Sequence, residues 1–211
     1  RDEIKENYAS DPAVQAVIAE AEAATDEVLD VRIGSTLNKL DRDNRWEEDS
    51  SMGNMITDAL RAFTGTEIAI TNNGGIRESI EAGDITKKDI FTVDPFDNEI
   101  AIVEVPGHVL KDIIEFSFHR ADEKFGYTIT DISSSGLTYV IYYDGPQGKD
   151  TPREDRKIAA ADLFVNGEPL DLDRTYTVTT NTFLADGGDG YEMFSKANWD
   201  RDTYHGKVTE A

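Results

Sequence analysis

A chain of 211 residues, 38% hydrophobic and 30% charged, carries enough apolar material for one full core, or for one domain with a helical extension. Its formal charge of -22, from 43 acidic and 21 basic residues, disfavours nucleic-acid backbones and anionic membrane surfaces, which call for Lys and Arg faces. There is no cysteine, which excludes disulfides, thiol catalysis and thiolate metal sites, and no apolar run approaches the ~20 residues of a membrane span.

The chain opens Arg1-Asp2-Glu3-Ile4-Lys5, mid-helix in character and unlike a signal peptide. A processed or excised chain is therefore expected, and the compartment is not read from it. Residues 11–28 then read as an amphipathic helix. Asp11 is the N-cap, Pro12 sits at N1, and Val14, Val17, Ile18 and Ala21 form one face. Such a helix either connects to a preceding domain or docks on the core. Residues 29–40 alternate loosely and suggest a strand. The charged loop 41–51 leads to Ser51, the expected cap of a helix whose stripe is Met52, Met55, Ile56, Ala59, Leu60 and Phe63, with Gly65 as its stop.

Residues 67–71 form a short strand, with Ile68 and Ile70 on one side and Ala69 on the other. It runs into Asn72-Asn73-Gly74-Gly75-Ile76-Arg77. A strand ending in Asn-Gly-Gly leaves backbone N–H groups unpaired at its tip, and Arg77 offers a planar fork of donors to a carboxylate or phosphate. The same residues also fit an ordinary turn beside a surface arginine. A short helix over 85–91 is capped by Thr86. Pro95-Phe96-Asp97-Asn98 is the turn into the buried strand 99–105, and 108–119 is helical with a mostly core-facing side. Residues 133–136 read as a turn before the strand 137–143, and 145–155 as a Gly, Pro and charge-rich loop. The strand at 159–165 turns at Asn166-Gly167, a hairpin signal.

The last clear strand, 175–180, delivers Asn181–Phe194, which packs three glycines and two aspartates into residues 186–190. Such a loop takes positive φ readily and lets its backbone approach a ligand. With Phe183 before it and Tyr191 and Phe194 after, it has the parts a nucleoside needs: an aromatic face, N–H groups and a carboxylate. A tight acidic turn with its aromatics in the core is the alternative. Residues 198–211 read as a polar tail. His108, His119 and His205 are far apart in no metal-binding spacing, so no catalytic metal site is expected from this chain. Strands and helices mingle without a regular βαβ repeat, which predicts an α+β fold with a mixed sheet packed with helices.

Five motifs occur in order: SSMGNMITDAL at 50–60, TNNGGIR at 71–77, PFDNEI at 95–100, SSGL at 134–137 and NTFLADGGDGY at 181–191. Together they closely resemble the C-terminal, substrate-binding domain of the 5′-nucleotidases, a group that includes UDP-sugar hydrolases and 2′,3′-cyclic-nucleotide phosphodiesterases. The resemblance spans about residues 30–195. It makes 29–211 that domain and 1–28 an interdomain linker helix region.

The resemblance implies a division of labour. A separate N-terminal metallophosphoesterase domain, absent from this chain, carries two divalent metal ions and the catalytic residues, while the C-terminal domain binds the nucleoside and brings it to them. No D-x-H or G-N-H-[DE] stretch occurs here, so this chain alone is expected to hydrolyse nothing and to hold no cofactor. By motif, Phe96 and Phe183 sandwich the base, a base-tolerant contact worth ~1–3 kcal/mol per stacked base. Asn72 and Asn98 match positions that bond the base or its surroundings. Gly74 and Gly75 supply the strand tip, Asp189 matches the carboxylate that accepts from ribose hydroxyls, and Arg77 matches an arginine near ribose and phosphate.

Two departures stand out. The family's arginine ahead of the G-N helix falls on Trp46, so Arg45 takes that role by a one-residue slip or the contact is lost. Asp97 also stands where a glycine is common. Either phenylalanine can instead be a core plug, and Asp189 a cap. The expected partners are a nucleotide or nucleoside and the N-terminal domain, with no nucleic acid. Relatives of this kind are exported or surface-anchored. A stand-alone nucleoside-binding or cell-surface module without activity is the alternative.

Overall fold

The computed structural model describes residues 11–125, 130–144, 157–199 and 203–211. In chain order the elements are α1 (Pro12–Leu29), β1 (Arg32–Thr36), α2 (Ser51–Thr64), β2 (Ile68–Asn72), β3 (Gly83–Thr86), α3 (Lys87–Val93), β4 (Ile100–Pro106) and α4 (Gly107–Phe125). There follow β5 (Ile132–Ser135), β6 (Leu137–Asp144), β7 (Lys157–Val165), β8 (Glu168–Pro169), β9 (Thr175–Asn181), α5 (Thr182–Ala185), α6 (Glu192–Ser195) and β10 (Asn198–Trp199). The loop predicted at 145–155 lies outside the described residues.

The central sheet has five strands in the order β10-β4-β9-β2-β5. β2 runs parallel to β9 and the other pairs are antiparallel, so the sheet is mixed and the fold is α+β, as predicted. The alternation read from residues 67–71 sorts its two faces. Ile68 and Ile70 join the main core with Leu110, Ile113 and Ile114 of α4, while Ala69 packs with Leu60 of α2 on the other side. β6, β7 and β8 form a second sheet against α4, and β1 and β3 a two-stranded ribbon. The Asn166-Gly167 turn joins β7 to β8 with φ of 52° and 85°, the double left-handed geometry of a tight hairpin.

Local signals fix the helices that matter for the site. α3 carries a capping box in which Thr86 Oγ1 accepts from the Asp89 amide and the Asp89 carboxylate accepts from the Thr86 amide. α2 ends at Gly65, whose φ is 71° and whose N–H bonds Arg61 O. Its cap is Ser50, not Ser51: Ser50 is extended, buried, and its Oγ accepts from the Gly53 amide at 3.0 Å. The Ser51 hydroxyl instead accepts from the Asp41 amide at 2.7 Å. Gly53 lets α2 lie against β5, since a Cβ there would come within 2.1 Å of Ser133 Oγ.

Two further expectations are corrected. Residues 133–135 are not a turn but strand β5, paired Ala69↔Ser135 to Asn72↔Ile132 on the sheet edge. Their hydroxyls are absorbed by Asn73 Oδ1 (from Ser133, 2.6 Å) and Asp58 Oδ1 (from Ser135, 2.6 Å), which removes the usual polar objection to serines in a strand. The helix predicted at 11–28 forms as α1, and Val14, Val17 and Ile18 of its apolar face are 54%, 67% and 41% exposed. The polar tail is not a tail. β10 pairs with the outer edge of β4, and residues 206–208 return to the start of that strand through Gly206 O (accepting from the Ile100 amide, 2.9 Å) and the Val208 amide (donating to Asn98 O, 3.0 Å). Val208 is buried there beside Leu60, Ala69 and Ile100.

Replacing Ser50 with Ala leaves a buried helical N–H without its acceptor, so Ser50→Ala is expected to cost about 1–2 kcal/mol of stability. Ser51→Ala is expected to cost less. Urea unfolding of the two variants checks the order, and equal losses would show that the cap is not at Ser50.

Candidate functional site

Strand direction brings the predicted residues together. β4 and β9 are antiparallel in the register Ile100↔Asn181, so the turn before β4 and the segment after β9 meet at one end of the sheet. β2 is parallel to β9, so its C-terminal tip arrives at the same end. The Thr182 amide donating to Glu99 O at 2.9 Å ties the first two loops together. Between the three loops lies a cleft of about 290 Å³ lined by Asn72, Gly74, Gly75, Phe96, Asn98, Phe183 and Asp189. All seven were singled out from the sequence. A larger cleft of about 780 Å³ beside Met55, Ile90, Phe91 and Val208 is mainly apolar, with the charged Lys87, Asp94, Asp97, Lys207 and Glu210 also on its lining.

Phe96 and Phe183 are the two aromatic walls, 46% and 43% exposed, and neither is a core plug. Tyr191 and Phe194 take the other course and are fully buried in the main core, where Tyr191 packs edge-on against Phe116 at 4.9 Å. The Tyr191 hydroxyl bonds the buried Asp131 carboxylate. Phe183 stands in the first turn of α5, which Asn181 caps by accepting from the Leu184 amide at 2.9 Å. Its ring lies over Gly188, where a Cβ would fall 2.7 Å from two ring carbons and 2.5 Å from the Phe183 carbonyl. A glycine is therefore required under the ring.

The polar floor is a chain of side-chain amides. Asn181 Nδ2 donates to Asn72 Oδ1 at 3.1 Å, and Asn72 Nδ2 donates to Asp189 Oδ2 at 3.3 Å. Both asparagines are buried. Asp189 holds a left-handed φ of 56°, a conformation that Asp tolerates better than most residues. The N-cap residue of α6 is Tyr191. Beneath the floor Asn73 is fully buried and fully bonded. Its amide nitrogen donates to Arg45 O at 2.7 Å and Thr130 O at 3.2 Å, and its oxygen accepts from Ser133. Sequence reading passed over Asn73, whose only signal was its place in the Asn-Asn-Gly-Gly run.

Three arginines grip the strand tip from outside the cleft. Arg45 Nε donates to Asn73 O at 2.8 Å, Arg77 Nη1 to Gly74 O at 3.1 Å, and Arg42 Nη1 to Ile76 O at 2.8 Å. Arg77 also lies 5.0 Å from the centre of the Phe96 ring and Arg45 4.8 Å from that of Trp46, both within cation–π range. Burial lowers the pKa of Arg45, and the nearby charges of Arg42 and Arg77 add to this while Asp43 opposes it. Neither Arg77 nor Arg45 lines the cleft itself. Arg42 was missed, being one charge among many in a loop with no periodicity. Beside Phe96, burial raises the pKa of Asp94, against a hydrogen bond from the Phe96 amide that lowers it. Among the described residues no group of three or more His, Asp or Glu side chains is placed to hold a metal ion.

Comparison with known proteins places this arrangement. Residues 22–196 match the family described as "5'-nucleotidase, C-terminal domain". "Protein UshA" of Escherichia coli (strain K12) is 34% identical over 165 residues, covering 77% of this chain and 27% of UshA. "Endonuclease YhcR" of Bacillus subtilis (strain 168) is 31% identical over 175 residues, covering 83% of this chain and 13% of YhcR. The crystal structure of a 5'-nucleotidase precursor from Thermus thermophilus superposes with a TM-score of 0.72 at 27% identity, over 94% of this chain and 38% of that one. The chain thus spans well under half the length of each of these proteins. The family match covers most of the sequence, and the chain belongs to the 5′-nucleotidase C-terminal domain family.

Proposed function

We propose that this chain is the nucleoside-binding part of a two-domain nucleotide hydrolase and stacks the base between Phe96 and Phe183. The observation that carries the reading is the pair of half-exposed phenyl rings on one narrow cleft whose floor is a carboxylate and an amide. A base is flat and apolar on its faces, so two rings hold it without selecting it. Asp189 accepts from the ribose hydroxyls, and Asn72 and Asn98 bond the base edge or its surroundings. The N–H groups of the Gly74-Gly75 tip face the phosphate end, and the guanidinium groups of Arg77, Arg45 and Arg42 behind that tip raise the local potential. That potential matters in a chain of charge -22, whose general field repels a nucleotide.

Hydrolysis is assigned to a preceding metallophosphoesterase domain of the same polypeptide, to which α1 is the linker. Two divalent metals there would supply the activated water. This chain would supply orientation, which is itself a large part of the rate. Export from the cytoplasm accompanies this reading by family resemblance.

Adenosine titrated into the chain is expected to bind saturably, read by tyrosine and tryptophan fluorescence. Phe183→Ala and Phe96→Ala are each expected to lose roughly 1–3 kcal/mol, about 5- to 150-fold in Kd. Wild-type affinity in both variants would sink the clamp. Gly188→Ala is expected to displace the Phe183 ring and weaken adenosine while far-UV circular dichroism stays unchanged. An unaltered Kd there would show that the ring is not held by that contact. With AMP and Mn²⁺ or Zn²⁺, the isolated chain is expected to release no phosphate above the no-protein control. Robust turnover would overturn the assignment of chemistry to another domain.

A further inference from the structure

Pro95, Phe96 and Asp97 are all exposed, and Asp97 sits at a left-handed φ of 56°, which non-glycine residues adopt at a cost. Besides the Phe96 amide bond to Asp94 and the Arg77 guanidinium over the ring, a further hold on this turn comes from residues 203–211. Lys207 Nζ lies 2.7 Å from Asp97 Oδ2 and 3.4 Å from Asp97 O, so one ammonium group engages both the side chain and the backbone of the residue next to the ring. The backbone follows the same path: Glu99 and Lys207 form a β-bridge, and the Val208 amide donates to Asn98 O at 3.0 Å. The segment is fixed in turn by Glu210, whose carboxylate accepts from the Lys207 amide at 3.0 Å and from the Tyr204 hydroxyl at 3.3 Å. Buried Val208 anchors it in the core.

We propose that residues 203–211 are a strap that sets the Phe96 wall of the cleft, with Lys207 as a positioning residue acting through Asp97. This rests on the nucleoside-clamp reading above and adds to it a residue that touches no ligand. The segment bonds the chain at Asp97, Asn98 and Ile100, on either side of the bridged Glu99, and so restrains the swing of the Phe96 backbone. A ligand entering a cleft whose wall is already set does not have to order it on binding. The pair is partly exposed, so the contribution is modest and sensitive to salt.

Adenosine is the probe because it is uncharged, so the charge of the ligand does not enter the salt dependence. Asp97→Asn keeps a residue that tolerates the left-handed conformation and removes only the charge. Lys207→Met removes the other partner, and Lys207→Arg restores a cation. At low salt, Asp97→Asn and Lys207→Met are each expected to weaken adenosine about two- to fivefold. The gap from wild type should close at high salt, Lys207→Arg should recover most of the loss, and Lys207→Met should add nothing in a Phe96→Ala background. If Phe96→Ala weakens binding but Asp97→Asn and Lys207→Met bind as wild type, the strap is overturned and the clamp stands. Wild-type affinity in Phe96→Ala would overturn both. A loss that tracks a falling Tm and is not recovered by Lys207→Arg would show a role in folding only, and would also overturn the strap.

Discussion

The site exists because β9 pairs in opposite senses with its two neighbours. Antiparallel to β4 and parallel to β2, it gathers the turn before β4, the loop after β2 and its own C-terminal loop at one end of the sheet. A sheet pairing is a long-range contact whose register is set by the buried faces, since a slip of one residue would turn Ile68, Ile70 and Val178 away from α4. The hydrophobic core therefore decides where the polar groups meet. The loops themselves are short and would define nothing without that frame.

Within the frame, polar groups are bonded almost to completion. Asn73 uses both amide hydrogens and its oxygen, and the three arginines use N–H groups on the carbonyls of Asn73, Gly74 and Ile76. Those bonds hold a glycine-rich tip that has no side chains of its own to pack. They also gather three positive charges beside a cleft in a strongly acidic chain, at the electrostatic cost that burial imposes on Arg45. Rigidity and local potential come from the same three groups.

Short-range patterns made much of this legible in advance. The alternation of Ile68, Ala69 and Ile70, the N-cap at Thr86 and the Asn166-Gly167 hairpin are local features, and the chain adopts each. The seven cleft residues were legible through ordered motifs rather than through any single pattern. What escaped depends on distant partners. Ser133 and Ser135 become a strand only because β2 and the acceptors Asn73 and Asp58 lie beside them. Residues 206–208 look polar and terminal, and only the exposed start of β4 makes them structural. Arg42 finds its acceptor 34 residues away, beyond any helical or strand period. The stripe on α1 has the spacing of a buried face, yet spacing alone does not say what, if anything, lies against it.

The amide chain from Asn181 through Asn72 to Asp189 has a direction. Each asparagine gives hydrogen towards the cleft and takes it from behind, the carboxylate at the end only accepts, and the first asparagine is pinned because its oxygen is already committed to the Leu184 amide. Turning over any one amide would set oxygen against oxygen at the next link, so the members cannot change singly. Aromatic walls admit substitutes of similar shape and flatness. The polarity of this relay is stricter, because each link depends on the amide before it.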